Sequence, residues 1–156
     1  MVNPADAFTD LVLEVFRLNG RLLAAGDRLA APVGLTSARW QVLGAIDGQP
    51  LSVAGIARAM GLTRQSVQRT ADLLAAEGSV AFVPNPQHKR AKLVDLTPTG
   101  RAMLREVTVL QKAWAERTAA GLPAAGIEGA VELMRTLRHR LERAESPGLE
   151  PNEGES

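Results

Sequence analysis

The chain has 156 residues, 46% of them apolar and 22% charged, with a net charge of only +1; this is the composition of an ordinary soluble globular protein, long enough to bury a core. It contains no cysteine and no tyrosine, which excludes disulfides, thiolate metal ligands and thiol redox sensing and leaves the core to Leu, Val and Ala. No stretch approaches the ~18 consecutive apolar residues of a membrane span, and no charged segment precedes an apolar run at the N-terminus as in a secretory signal, so a cytoplasmic protein is expected.

Pro4 suits the first position of a helix, and Phe8, Leu11, Val12, Val15, Leu18, Leu22 and Leu29 then recur at helical spacing. The pattern predicts a long helix to about Ala30, stopped by APVG (31–34). Thr36 or Ser37 starts a second helix holding Trp40, Leu43 and Ile46, which DGQP (47–50) ends. Ser52 is a good N-cap for a short helix with Val53, Ile56, Ala57 and Met60. Gly61 permits a tight turn, and Thr63 caps the next helix. At 100° per residue, Val67, Thr70, Ala71 and Leu74 fall on one side of it; Gln65, Gln68, Arg69 and Asp72 fall on the other. Gly78 stands where a helix-terminating glycine belongs.

The period then changes. SVAFV (79–83) and AKLVDL (91–96) are short and β-prone, and PNPQHKR (84–90) between them reads as the loop of a hairpin. Thr97 and Pro98 form a strong helix start. The helix that follows carries Met103, Leu104, Val107, Leu110 and Trp114. GLP (121–123) interrupts the pattern, and Ile127, Val131, Met134, Leu137 and Leu141 mark a last amphipathic helix. The segment 146–156 is acidic and rich in Pro and Gly, and is expected to be a disordered tail. The predicted fold is mainly α with a small β-hairpin. A short helix and a polar-faced helix about Gly61 make a helix-turn-helix, and the hairpin makes it winged.

Charge is distributed unevenly. Between Arg58 and Arg105 eight basic residues face only Asp72, Glu77 and Asp95, a net of +5, while the rest of the chain carries −4. A basic centre between acidic ends suits a polyanion site; chance clustering of solvated charges is the other reading. An α-helix fits the DNA major groove, where Arg pairs with guanine O6 and N7, Gln with adenine N6 and N7, and Ser with either. Arg64, Gln65, Ser66, Gln68 and Arg69 are the candidates for such contacts, with Gln65 and Gln68 foremost for base reading. Gln and Arg are also good helix formers and suit an ordinary surface helix. His88, Lys89, Arg90 and Lys92 in the hairpin are candidates for phosphate or minor-groove contacts; a solvated edge hairpin guarded by basic residues would look similar.

Three segments together, LTSARWQVLGAI (35–46), LSVAGIARAMGLTRQSVQRTADLLAAEG (51–78) and KRAKLVDLTPTGRAMLREV (89–107), resemble the MarR family of bacterial transcriptional regulators. The resemblance implies a homodimer with intertwined terminal helices, two winged lobes on a near-palindromic operator, and release by a small, often aromatic or phenolic, ligand. Arg90 matches the family's wing arginine. The sequence departs from the family at Phe82 and Val83, where arginine is frequent nearby, and at His88, where an acidic residue is frequent. The implied organisation is one domain over 1–145, with the lobe at 35–100, dimerisation helices at 1–34 and 101–145, and the tail at 146–156.

Independently of the resemblance, long apolar stripes on the first and last helices exceed what one small lobe buries, and pairing two copies is the simplest solution. A ligand pocket is expected where the first two helices meet the fifth, with Arg17, Arg21, Arg39 and Trp40 as candidates. The core suits Trp40 better, because it lies on its helix's apolar side, and solvated or paired positions suit the arginines better. His88 and His139 lack carboxylate partners at motif spacing, so no metal and no cofactor is expected. No nucleophile set or phosphate-cradling glycine loop is present, so an enzyme is not expected. The alternative to a DNA-binding regulator is a winged-helix protein-interaction adaptor.

Overall fold

Pro4 does open the first helix. In the computed structural model, which describes residues 1–145, α1 spans Pro4–Ala30, and the Asn3 side chain accepts the Ala5 amide at 3.0 Å to cap it. The expected tail at 146–156 lies outside the described residues. A short 3₁₀ turn over Ala31–Val33 follows, and Gly34, at φ 78°, reverses the chain in the left-handed region where a side chain is strained. Then come α2 (Ser37–Ala45), β1 (Leu51–Ser52), α3 (Val53–Met60), α4 (Arg64–Ala76), β2 (Val80–Val83), β3 (Leu93–Leu96), α5 (Pro98–Ala119) and α6 (Ala124–Glu145). The chain forms two compact units, the first over Met1–Trp114 and the second from Ala115 onward.

The first unit is built around one core. Leu43 and Ile46 from the end of α2, Ile56 from α3, Val67 and Leu74 from α4, Val94 from β3 and Val107 from α5 are all buried. The predicted apolar side of α4 is the side that enters this core, with Ala71 completing the stripe. Ile46 lies at the C-cap rather than inside α2, and is buried there.

The joint between α1 and α2 is polar and close. Ser37 donates its hydroxyl to the Leu23 carbonyl and its amide to Asp27 Oδ1, both at 2.7 Å. Asp27 therefore satisfies one of the amides left over at the N-terminus of α2, beside the Thr36 cap on Arg39. A side chain at Gly26 would collide with Ser37 Oγ, which lets the two helices approach.

The hairpin is one strand larger than its sequence suggests. The sheet is antiparallel with order β1-β3-β2. β2 pairs along β3 from Val80↔Leu96 to Val83↔Leu93, and β1 adds Leu51↔Val94 and Ser52↔Leu93 on the other edge. A two-residue strand has no periodicity to read. Ser52 serves twice, as a strand residue and as the α3 cap, its Oγ accepting the Gly55 amide at 3.1 Å.

Two helix ends place the wing. Gly78, at φ 82°, closes α4: its amide reaches the Ala75 carbonyl at 3.1 Å, and that of Ser79 reaches Leu74 at 2.9 Å. That pair of bonds is a Schellman motif. Thr97 then locks the start of α5 onto this turn. Its hydroxyl donates to the Gly78 carbonyl at 2.6 Å, its amide to the Ser79 carbonyl at 3.1 Å, and its Oγ1 accepts the Gly100 amide at 3.1 Å. A Cβ on Gly100 would collide with the Ser79 carbonyl oxygen.

In the second unit, Gly121 at φ 80° ends the turn after α5, and α6 follows from Ala124. Ile127, Val131, Met134 and Leu141 are exposed along α6, and Leu137 is half-buried. Among the described residues no helix is long and apolar enough to cross a membrane.

Two glycine-to-alanine substitutions are expected to have opposite signs. Gly44 lies in α2 with open space around its missing Cβ, so Gly44→Ala should stabilise the chain by about 0.4–1 kcal/mol. Gly100→Ala should destabilise it by about 1–3 kcal/mol through overpacking against backbone. Urea unfolding of the two variants beside the parent measures both; stabilisation by Gly100→Ala would contradict the α5 lock.

Candidate nucleic-acid interface

With Val67, Ala71 and Leu74 buried, the rotation of α4 about its own axis is set, and Arg64, Gln65, Gln68, Arg69 and Asp72 are all exposed. Thr63 starts the helix, its Oγ1 accepting the Ser66 amide at 3.1 Å. Ser66 returns the contact by donating its hydroxyl to the Thr63 carbonyl at 3.0 Å. Ser66 thus spends its proton on the cap and has only acceptor capacity left for a ligand.

The wing is shaped by short-range bonds. Asn85 Oδ1 accepts the Gln87 amide at 3.0 Å, and the Asn85 carbonyl accepts the His88 amide at 3.3 Å. His88 Nδ1 accepts the Ala91 amide at 3.2 Å. His88 therefore spans the bend that contains Lys89 and Arg90. The position where an acidic residue was the family expectation holds a side chain bonded within the loop.

Between α4 and the wing lies an open groove of about 660 Å³. Arg64, Gln65 and Gln68 line it from α4, and Arg90 and Lys92 from the wing. Ser52, Val53 and Ala54 line it from the start of α3, where backbone amides carry partial positive charge. Phe82 supplies an apolar patch, and Asp72 is the only carboxylate among the lining residues. The expected residues thus divide. Arg64, Gln65, Gln68, Arg90 and Lys92 share one concavity, whereas Ser66, Arg69, His88 and Lys89 are exposed outside its lining. Ser52, Val53, Ala54 and Phe82 were not among the residues expected to make contacts. Nothing in their type marks them, and they reach the groove because β1 and β2 flank β3.

A second hollow, of about 380 Å³, lies among α1, α2 and α5, the junction named from sequence. Trp40 lines it, together with Leu22, Leu29, Gln41, Gln111 and Trp114. Both tryptophans of the chain therefore face one cavity. Trp114 was legible only as one member of the α5 apolar stripe. The three arginines lie elsewhere. Arg17 and Arg21 line a separate shallow depression with Glu14 and Leu18, and Arg17 pairs with Glu14 at 3.4 Å. Arg39 forms a two-pronged pair with Glu77, at 3.0 and 2.9 Å, joining α2 to the end of α4. Among the described residues no group of three or more His, Asp or Glu is placed to hold a metal ion.

A sequence model described as MarR family matches residues 33–91. The uncharacterized protein Rv2011c of Mycobacterium tuberculosis is 35% identical over 143 residues, covering 92% of this chain and 99% of that protein. The transcriptional activatory protein BadR of Rhodopseudomonas palustris is 32% identical over 107 residues, 64% of this chain and 61% of its own. Among solved structures, CouR from Rhodococcus jostii RHA1, bound to p-coumaroyl-CoA, superposes with a TM-score of 0.75 at 24% identity, covering 82% of this chain and 91% of CouR. A mutant MarR from E. coli, complexed with operator DNA, gives 0.74 at 20% identity, covering 87% and 99%. At these identities the structures share the fold.

The cap of α4 is testable without any ligand. Thr63→Ala removes the acceptor for the Ser66 amide and should cost about 1 kcal/mol of stability. Denaturant midpoints at unchanged m-value would report it; no change would mean that water replaces the cap at no loss.

Proposed function

The chain belongs to the MarR family of transcriptional regulators, and from that premise we propose that it is a homodimeric repressor that binds a near-palindromic operator and is released by a small aromatic or phenolic ligand. The observation that carries the DNA reading is the groove. It joins the donor-rich face of α4, the cations Arg90 and Lys92 of the wing and the N-terminus of α3 in one concavity. In this reading α4 enters the major groove. Gln65 and Gln68 read base edges, Arg64 and Arg69 contact bases or phosphates, and Ser66 accepts from a base donor. The wing, with His88, Lys89, Arg90 and Lys92, follows the backbone toward the minor groove.

Dimerisation is supported by apolar surface that the single chain leaves uncovered. On α1, Phe8, Val15, Leu18 and Leu22 are each at least 40% exposed, although all lie on the stripe that predicted the helix. On α6, Ile127, Val131, Met134 and Leu141 are likewise exposed. Apolar area of this extent on two long helices favours burial against a second copy. Residues 1–34 and 101–145 are the proposed dimerisation segments, and 35–100 the lobe. Two-fold symmetry then sets the two α4 helices ~34 Å apart, or a multiple of it.

Release by a ligand is supported by the cavity lined by Trp40 and Trp114, which has the size of a small-molecule site and a mostly apolar lining with a few polar groups. A ligand held between α1, α2 and α5 shifts α2, and through Arg39–Glu77 the end of α4. Repression follows if a dimer seated on its operator excludes polymerase. BadR carries the description of an activator, so a reporter gene placed behind the operator decides the sign. The proposed compartment is the cytoplasm, where the DNA is.

Selection of bound fragments from random duplex DNA should recover an inverted repeat. Gln65→Ala should relax preference at one or two base pairs by roughly 1–3 kcal/mol. Arg90→Ala should weaken all sites evenly and reduce the log–log salt slope by about 0.9. Recovery of no common sequence, with binding indifferent to salt, would favour the adaptor reading.

The two tryptophans offer a built-in probe of the cavity. Titration with a panel of phenolic acids should quench their fluorescence and, at the same concentrations, release operator DNA. Quenching without release would remove the ligand from the mechanism.

A further inference from the structure

One bond on the face of α4 is at odds with the charge around it. Gln68 and Asp72 stand one turn apart, and Gln68 Nε2 donates to Asp72 Oδ1 at 2.9 Å. Both side chains line the groove that Arg64, Arg90 and Lys92 make basic. A carboxylate there opposes the attraction those cations exert on phosphates, so a groove serving general affinity alone would be better without it.

The chemistry of the pair accounts for its presence. An unrestrained glutamine amide presents its carbonyl and its NH₂ either way round with equal ease. An ionised carboxylate only accepts hydrogen bonds, so Asp72 can hold Gln68 by the Nε2 end alone. One orientation survives. It leaves Oε1 free with the second Nε2 proton available, an acceptor beside a donor in a set order, as the adenine N6 and N7 pair requires.

We propose that Asp72 is a specificity-determining positioning residue. It holds the Gln68 amide in the orientation that reads adenine, at the expense of affinity for duplex DNA in general. This rests on the reading that α4 enters the major groove. A carboxylate that merely braced the helix as an i, i+4 partner would stabilise α4 without altering which base is preferred there.

The test measures binding of the full chain to the selected operator, to operators changed singly at each half-site base pair, and to a duplex lacking the site. The proteins are the parent, Gln68→Ala, Asp72→Asn, Asp72→Glu and the double variant Gln68→Ala with Asp72→Asn. Asparagine keeps the size of Asp72 but can accept or donate, so it satisfies Gln68 in either orientation. Asp72→Asn should lose preference at the base pair read by Gln68, by about 5- to 150-fold, down to the level of Gln68→Ala. The double variant should lose no more than either single one. Binding to the duplex without the site should tighten, and Asp72→Glu, still acceptor-only, should keep the parental preference. The inference is overturned if Asp72→Asn keeps parental preference at every base pair, or loses affinity equally at all of them. A parent that itself shows no preference among duplexes overturns the DNA reading first, and this inference with it.

Discussion

Burial of a narrow apolar stripe on α4 is the constraint from which the proposed interface follows. Val67, Ala71 and Leu74 are all at or below 1% exposure, and a helix anchored along one line cannot roll. Once that line faces the core, the residues opposite it face outward whatever their chemistry. The polar face is therefore presented by the packing of its back. A change in core volume beneath Val67 would tilt the α4 side chains that line the groove.

A second constraint sets what stands beside that face. The left-handed Gly78 ends α4 abruptly, and the Thr97 lock returns the chain to the same point after the hairpin. Both legs of the wing are thereby tied to the C-terminal end of α4, while the loop carrying Arg90 lies along the groove. Gly100 makes the return possible, since only a residue without a Cβ fits against the Ser79 carbonyl. Sequence-local turn chemistry thus has a distant consequence: it brings cations from residues 90 and 92 into the same concavity as residues 64, 65 and 68.

Polar contacts also tie α2, which lines the cavity, to its neighbours on both sides. Ser37 and Asp27 fasten α2 to α1 at one end, and Arg39 fastens α2 to Glu77 on the other side. α2 therefore stands between a hollow lined by both tryptophans and the end of α4. Surface ion pairs contribute little energy by themselves. This one is two-pronged with its arginine side chain only 25% exposed, the geometry in which such a pair holds two elements together best.

Much of this was written in the residues. The helix caps Thr36, Ser52, Thr63 and Thr97, the left-handed positions Gly34, Gly61 and Gly78, and the apolar stripe of α4 are all local signals. They follow from hydrogen bonds and φ preferences that act within a few residues. They determined the order of elements and the outward face of α4. β1 was not legible, because two residues pair only when another strand is already beside them. Nor was the partition of the charges. Arg64, Arg90 and Lys92 share a groove while Arg69 and Lys89 do not, Arg39 answers Glu77 across 38 positions, and Trp114 joins Trp40. Those pairings depend on distances between segments far apart in the chain, which side-chain periodicity does not encode and which only close packing of the assembled core decided.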